Sequence, residues 1–377
     1  MESGEAVRHA HITGRELPSE DVVVPEPVAA SRPWPVRLLY AIVGLGLFVS
    51  ALGLMKEGAA ALVPTLEGSI FTDSALSTLG LGWLGACLVM SGSPVAASAL
   101  TLLDGGAITR TQAFTMLTGS RLGAAFVVLV VGVVYSLRRR EQGSRRAPVS
   151  IGVLSLLMTA VVYVPGAFVG YLLLDRGVFD GVDIGSSPRL ASFTDRAFGW
   201  LVDLVEGFAP TWSLFPIGVV VLLVGFQAFD RALPVPPSDR LESDGAWFTR
   251  KWPMFAVGCL VTLLTLSVSV SLTLLVPLVA KGHLRRANTL PYIAGANITT
   301  LADTLVAAIL IGNADAVRVV VAVTVVVTAW TLVLLVAAYP LLRGTLLGIA
   351  RVVLVDDRRL AAFAGILLGV PLVLILI

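Results

Sequence analysis

The sequence predicts an all-α polytopic membrane protein with two inverted-topology repeats, each containing a re-entrant helical hairpin and a following transmembrane helix. Three observations carry this expectation. The first is composition. Of 377 residues, 56% are hydrophobic and only 14% charged, and the mean hydropathy is +0.89, whereas a soluble domain carries roughly 25% charge. The second is a series of apolar runs of about 18 residues or more, each long enough to cross a hydrocarbon core. The third is an internal register. Displaced by about 176 residues, the halves align without gaps: Gly82 meets Gly258, Ser91 meets Ser267, Ser93 meets Ser269, Gly106 meets Gly282, Arg110 meets Arg286 and Gly119 meets Gly295.

In chain order, residues 1–35 are polar and contain several prolines, and read as a disordered tail. Residues 36–137 form the first repeat. A span over 36–55 runs on to Val63, and an apolar run over 75–103 is broken at Ser91-Gly92-Ser93-Pro94. A span over 111–137 follows and ends at the basic cluster Arg138–Arg146. Residues 138–211 hold this cluster, a linking span over 149–174, an acid-rich loop and an amphipathic interfacial helix over 191–208. Residues 212–312 form the second repeat: a span over 212–229, a Pro-containing loop, a serine-broken run over 253–280 and a span over 290–311. Residues 313–377 give two closing spans, 317–338 and 360–377, joined by a basic segment with Arg343, Arg351, Arg358 and Arg359.

The broken runs read as hairpins because of Pro94. Proline removes a backbone donor and suits the first turn of a new helix, with Ser93 as its N-cap. The piece from Val95 to Leu103 is about 14 Å long, half of a ~30 Å core. Charge distribution agrees. With a cytoplasmic N-terminus beside Arg37, two hairpins entering from opposite faces keep every basic cluster inside. A through-helix at either position would put a basic cluster on the wrong side. Facing hairpins of this kind describe an inverted repeat.

Several function classes are excluded. Net charge is +2 with basic residues in short loops, which argues against nucleic-acid binding. Cys87 and Cys259 sit in apolar runs, and His9, His11 and His283 are scattered, so neither a disulfide framework nor a metal site is expected. No His/Asp/Glu constellation suggests acid–base chemistry, so an enzyme is not expected.

Polar residues at membrane depth are therefore the functional candidates. Ser91, Ser93, Ser267, Ser269 and Ser271 lie at the hairpin tips. There, hydroxyls and half-helix N-termini suit an oxyanion, although small polar residues also simply pack helices. Asn297, Thr299 and Thr300 carry oxygens for a hard cation such as sodium, or form an Asn–Thr packing network. Arg121 stands about ten residues into a span, where insertion scales place Arg at roughly +2.5–3.5 kcal/mol. It either holds an anion by bidentate contact or pairs with Asp303, and the two roles can coexist. Lys56, Glu57, Asp230 and Arg231 sit at span ends and read as interfacial anchors rather than ligands.

Gly295-Ala296-Asn297-Ile298-Thr299-Thr300, the Ser-containing breaks, and the first helix Leu45–Leu62 resemble the type II sodium-dependent phosphate cotransporter family. The likeness covers roughly 40–135 and 212–310. Where that family has a hairpin glutamine this chain has Met90 and Leu266, and where it has the first asparagine this chain has Arg121. The resemblance implies a secondary active transporter in the plasma membrane that moves phosphate or a similar small anion with sodium, by alternating access. It implies substrate contacts at Ser91, Ser93, Ser267 and Ser269, to which Arg121, standing in place of the family's asparagine, adds this chain's own candidate anion contact; ion contacts fall at Asn297, Thr299, Thr300 and Ser271. Two alternatives stand beside it: a sodium-independent or other-anion carrier using Arg121, and a non-transporting scaffold or regulator.

Overall fold

The computed structural model describes residues 33–66, 68–138, 146–182, 200, 203–205, 207–232, 250–280, 282 and 284–377. The expected disordered tail lies almost wholly outside them. So do most of the interfacial helix over 191–208, the interior of the Arg138–Arg146 cluster and the Pro-containing loop after residue 232. Among the described residues the chain is helical, with no strand. Seven helices are long and apolar enough to cross a membrane: Trp34–Leu66, Arg110–Leu137, Arg146–Asp175, Thr211–Phe229, Arg286–Ile311, Ala314–Ala337 and Asp357–Leu376. Large apolar side chains face outward along them, among them Leu39 and Ile42, Val333 and Val336, and Ile366 and Val373. A belt of this kind is at home in lipid and not in water. The protein is an all-α membrane protein.

The elements are α1 (Trp34–Leu66), α2 (Ala75–Val89), α3 (Ser93–Asp104), α4 (Arg110–Ala124), α5 (Phe126–Arg138) and α6 (Arg146–Asp175). There follow α7 (Leu214–Ala232), α8 (Lys251–Thr265), α9 (Val268–Thr273), α10 (Leu275–Ala280), α11 (Arg286–Thr299), α12 (Leu301–Ile311), α13 (Ala314–Ala337), α14 (Tyr339–Val353) and α15 (Asp357–Leu376). Local sequence explains several starts. Ser74 with Ser77 closes a capping box on α2, and Thr109 with Gln112 closes one on α4. Asn313 caps α13 and Asp356 caps α15.

Two breaks dominate the backbone. The non-glycine residues with positive φ among those described are Met90 (φ 56°) and Leu266 (φ 48°), which stand 176 positions apart. Each ends a 15-residue helix in the left-handed conformation, α2 in one case and α8 in the other. Glycine is the usual residue there, because a Cβ crowds the following carbonyl. The same offset relates the close packing. A Cβ on Gly82 would lie 2.0 Å from the Met116 carbonyl oxygen, and one on Gly258 2.2 Å from that of Tyr292. Gly119 meets the Leu79 oxygen at 2.1 Å, and Gly295 meets that of Phe255 at 2.3 Å. Thus α2 lies antiparallel against α4, and α8 against α11, at backbone contact.

Gln112, in the first turn of α4, donates to the Thr72 carbonyl just before α2 at 2.6 Å. The break between α2 and α3 is buried at Gly92, which abuts the Ser120 carbonyl of α4. Helix α3 has 12 residues, or about 18 Å, longer than the 9-residue estimate. The expected N-cap at Ser93 is corrected: Gly92 occupies the cap position without a side-chain bond, and Ser93 is the first helical residue, with Pro94 behind it. Ser267 does cap its helix, accepting from the Val270 N–H at 3.3 Å. The difference arises because α3 begins one position later relative to its break: the cap falls on Gly92, two residues after Met90 and itself αR (φ −86°, ψ −29°), whereas Ser267 directly follows Leu266.

The return helices reach across the molecule. Helix α3 packs on α1 and α12, whereas α9 and α10 pack on α5 and α6. Helices α1 and α7 lie against each other, with Gly44 beside the Gly225 carbonyl and Gly58 beside Phe215. Polar contacts gather at one end of the bundle. There Asn313 donates to Asp104 (2.8 Å), Arg110 pairs with Asp180 (2.6 Å) and Asp315 (3.6 Å), and Lys56 pairs with Asp104 (3.0 Å). The basic segment expected as a connector after residue 338 is instead helix α14. It buries Leu342, Leu346, Ala350 and Val353, a spacing of three to four residues.

Glycine at position 90 or 266 should raise stability by about 1 kcal/mol, by removing the left-handed penalty. Gly119→Ala should lower it by about 1–3 kcal/mol, because the opposing atom is backbone and cannot rotate away. Thermal unfolding of the detergent-purified protein measures both.

Candidate functional site

Arg121 organises the polar interior. It sits near the end of α4, 2% exposed, in a segment where every residue from Ala113 to Ala124 is buried. Its guanidinium crosses to the other half of the chain. Nη1 donates to Thr300 Oγ1 at 3.1 Å, and Nη2 donates to Thr304 Oγ1. Nη2 also lies 3.6 Å from Asp303 Oδ1. Thr304 passes the contact on, its hydroxyl donating to Asp303 Oδ1 at 2.8 Å. Thr300 and Thr304 are four apart on a helix and so share a face, while Thr300 stands at the junction of α11 and α12. A mid-membrane cation is tolerable only with such neutralisation inside the protein.

The neutralisation is incomplete in its hydrogen bonds. Arg121 Nε and Asp303 Oδ2 are buried without a partner among the described residues. Asp303 also lines a cavity of about 70 Å³ together with Thr265 and Leu266 at the end of α8, Phe48 of α1 and Phe226 of α7. The break after α8, the buried carboxylate and the α1–α7 pair therefore meet at one point.

The other predicted residues fall into separate groups. Asn297 exchanges hydrogen bonds with Thr159 of α6 (3.1 and 3.3 Å), and its carbonyl accepts from the Tyr163 hydroxyl at 2.7 Å. Ser271 bonds Thr262 (2.6 Å) and Tyr292 (2.9 Å). Thr299 donates to its own helix at the Gly295 carbonyl, 3.1 Å. Thr300 belongs to the Arg121 group. The four residues proposed for a cation thus have four different sets of partners. Ser91, Ser93 and Ser269 are half-buried, and their hydroxyls make no hydrogen bond to a described residue. Ser267 is engaged as a cap. Among the described residues no cluster of three His, Cys, Asp or Glu can hold a metal.

Sequence reasoning passed over Thr304, Thr159 and Tyr163. A signal was present. Ser155, Thr159 and Tyr163 recur every four residues along the otherwise apolar α6, one polar stripe on one helix face. Thr300 and Thr304 form a second such pair.

Comparison with known proteins finds no matching family model, no matching curated protein and no matching solved structure.

Removing one member of the Arg121–Asp303 pair strands the other in the core. Arg121→Met or Asp303→Leu alone should destabilise by about 3–5 kcal/mol, and the double variant by less than either single one. Unfolding in detergent across this cycle tests the coupling.

Proposed function

We propose that the protein is a secondary transporter of the plasma membrane. It has two inverted-topology repeats with re-entrant hairpins and moves phosphate or a similar small oxyanion by alternating access. It is proposed as a divergent relative of the type II sodium-dependent phosphate cotransporters. The observation that carries this reading is the paired break at Met90 and Leu266, with the same glycine-to-carbonyl packing behind each. Broken helices at membrane depth are tolerated where they serve a buried site. The proposed orientation places the N-terminus in the cytoplasm. Arg37, Arg231, Lys251, Arg286 and Arg343 then lie inside, and the Asp104–Asp180–Asp315 end lies outside.

In this reading the anion is held by Arg121 and by the free hydroxyls of Ser91, Ser93 and Ser269. The guanidinium is planar with five donors, and its Nε–H has no other partner. Substrate competes with Asp303 for the same cation. In the empty state Arg121 and Asp303 cancel. With a monovalent anion bound, the buried site carries one excess negative charge unless a cation accompanies the substrate. Asp303 lines the cavity, and its Oδ2, which has no partner among the described residues, is the oxygen available to that cation. Coupling thus follows from charge neutrality at low dielectric. A sodium-independent carrier is the second reading, favoured because Asn297, Thr299 and Ser271 are each engaged with protein partners.

Phosphate uptake into proteoliposomes, with and without an inward sodium gradient, tests both readings. Gradient-dependent uptake supports sodium coupling. Equal uptake in both supports the second reading, and no uptake of any oxyanion sinks transport itself. Arg121→Gln should weaken phosphate uptake roughly 10–100-fold at sub-saturating substrate, as expected for loss of a charge-assisted contact. Wild-type uptake in that variant would remove Arg121 from the site.

A further inference from the structure

A second positively charged site lies away from Arg121, where α6 and α11 begin. A pocket of about 360 Å³ opens there beside α14. Three arginines line it. Arg146 is the first residue of α6, Arg286 the first of α11, and Arg351 lies in the last turn of α14. Among the described residues no acidic side chain lines the pocket, and none of the three arginines has a side-chain partner. Three separate elements thus bring like charges to one opening. That arrangement is unfavourable unless an anion occupies it.

Two further features sharpen the choice of anion. Helices α6 and α11 both start at the pocket, so the positive ends of two helix dipoles lie beside it. Arg285 stands at the N-cap of α11 without a side-chain hydrogen bond, which leaves first-turn N–H groups for an outside acceptor. The remaining wall is mainly apolar and includes Leu154 and Leu347. The neighbouring α14 is amphipathic: its buried stripe faces the bundle, whereas Leu341, Ile349 and Val352 are exposed. Such a helix lies in the interfacial plane with apolar side chains in the acyl region. The pocket therefore opens at headgroup depth, with phosphate-binding groups on one side and hydrocarbon on the other.

We propose that this pocket binds the phosphate group of an anionic phospholipid, with the lipid's apolar part along Leu154 and Leu347. The site is distinct from the Arg121 centre, and the assignment does not depend on transport. Free inorganic phosphate shares the headgroup chemistry but not the apolar contact.

The test uses the detergent-purified full-length protein, with bound lipid read by native mass spectrometry and by unfolding temperature. Phosphatidylglycerol should remain bound as a discrete adduct and raise the unfolding temperature, and phosphatidylcholine should do neither. Arg351→Gln should weaken phosphatidylglycerol binding about fivefold, and Arg146→Gln with Arg351→Gln roughly 25-fold, near the contribution of one interfacial arginine each. Both side chains belong to exposed residues at helix ends, so an unchanged unfolding temperature in phosphatidylcholine will verify folding. Arg351→Lys should retain most of the binding. Equal retention of the two lipids, or undiminished phosphatidylglycerol binding in the double variant, would overturn the site. Displacement of the lipid by an equal concentration of inorganic phosphate would assign the pocket to a free anion and overturn the lipid assignment.

Discussion

The interior is arranged around one constraint, a guanidinium placed where hydrocarbon surrounds the protein. An isolated charge at that depth is costly, and the chain cannot relieve the cost locally, because the residues flanking Arg121 are small or apolar and buried. Relief comes from Thr300, Asp303 and Thr304, about 180 residues further along. The ion pair therefore ties α4 to the α11–α12 junction. Separating the two halves would leave a cation and a carboxylate each without its counter-charge.

The helix breaks are the second constraint, and they serve the first. A continuous helix hides its backbone polar groups. A break exposes them, and both breaks here are bounded by left-handed residues that are not glycine. Four glycines then let carbonyls approach at the distance of a missing side chain. The result is two short antiparallel pairs, α2 with α4 and α8 with α11, packed closely enough to hold a strained turn. Half-buried hydroxyls with no protein partner sit at the tips.

Charge is also divided between the ends. One end ties Asp104, Asp180 and Asp315 to Lys56, Arg110, Arg318 and Asn313 in local pairs. The other leaves Arg146, Arg286 and Arg351 around an opening without acids. Paired charges at a bundle end add little energy but fix loop positions. Unpaired arginines at a membrane interface instead seek an external anion.

Much of this was legible from the residues alone. Apolar run length determines that the chain spans a membrane, because backbone groups in lipid must bond within a helix. The serine-glycine-proline break and the 176-residue register determined where the helices stop, since proline and small residues act on local geometry. Arg121 stood out because a charge inside an apolar run has no local explanation. Its partners did not stand out. Thr304 and the polar stripe Ser155, Thr159 and Tyr163 look like ordinary helix residues until α4, α6 and α11 are brought together. The tertiary structure decided that Asn297 faces α6 while Arg121 faces α12, and that three distant arginines share one pocket. Those outcomes depend on helix rotation and on contacts between residues far apart in the chain. Local periodicity specifies which face of a helix is polar, but only packing selects what that face meets.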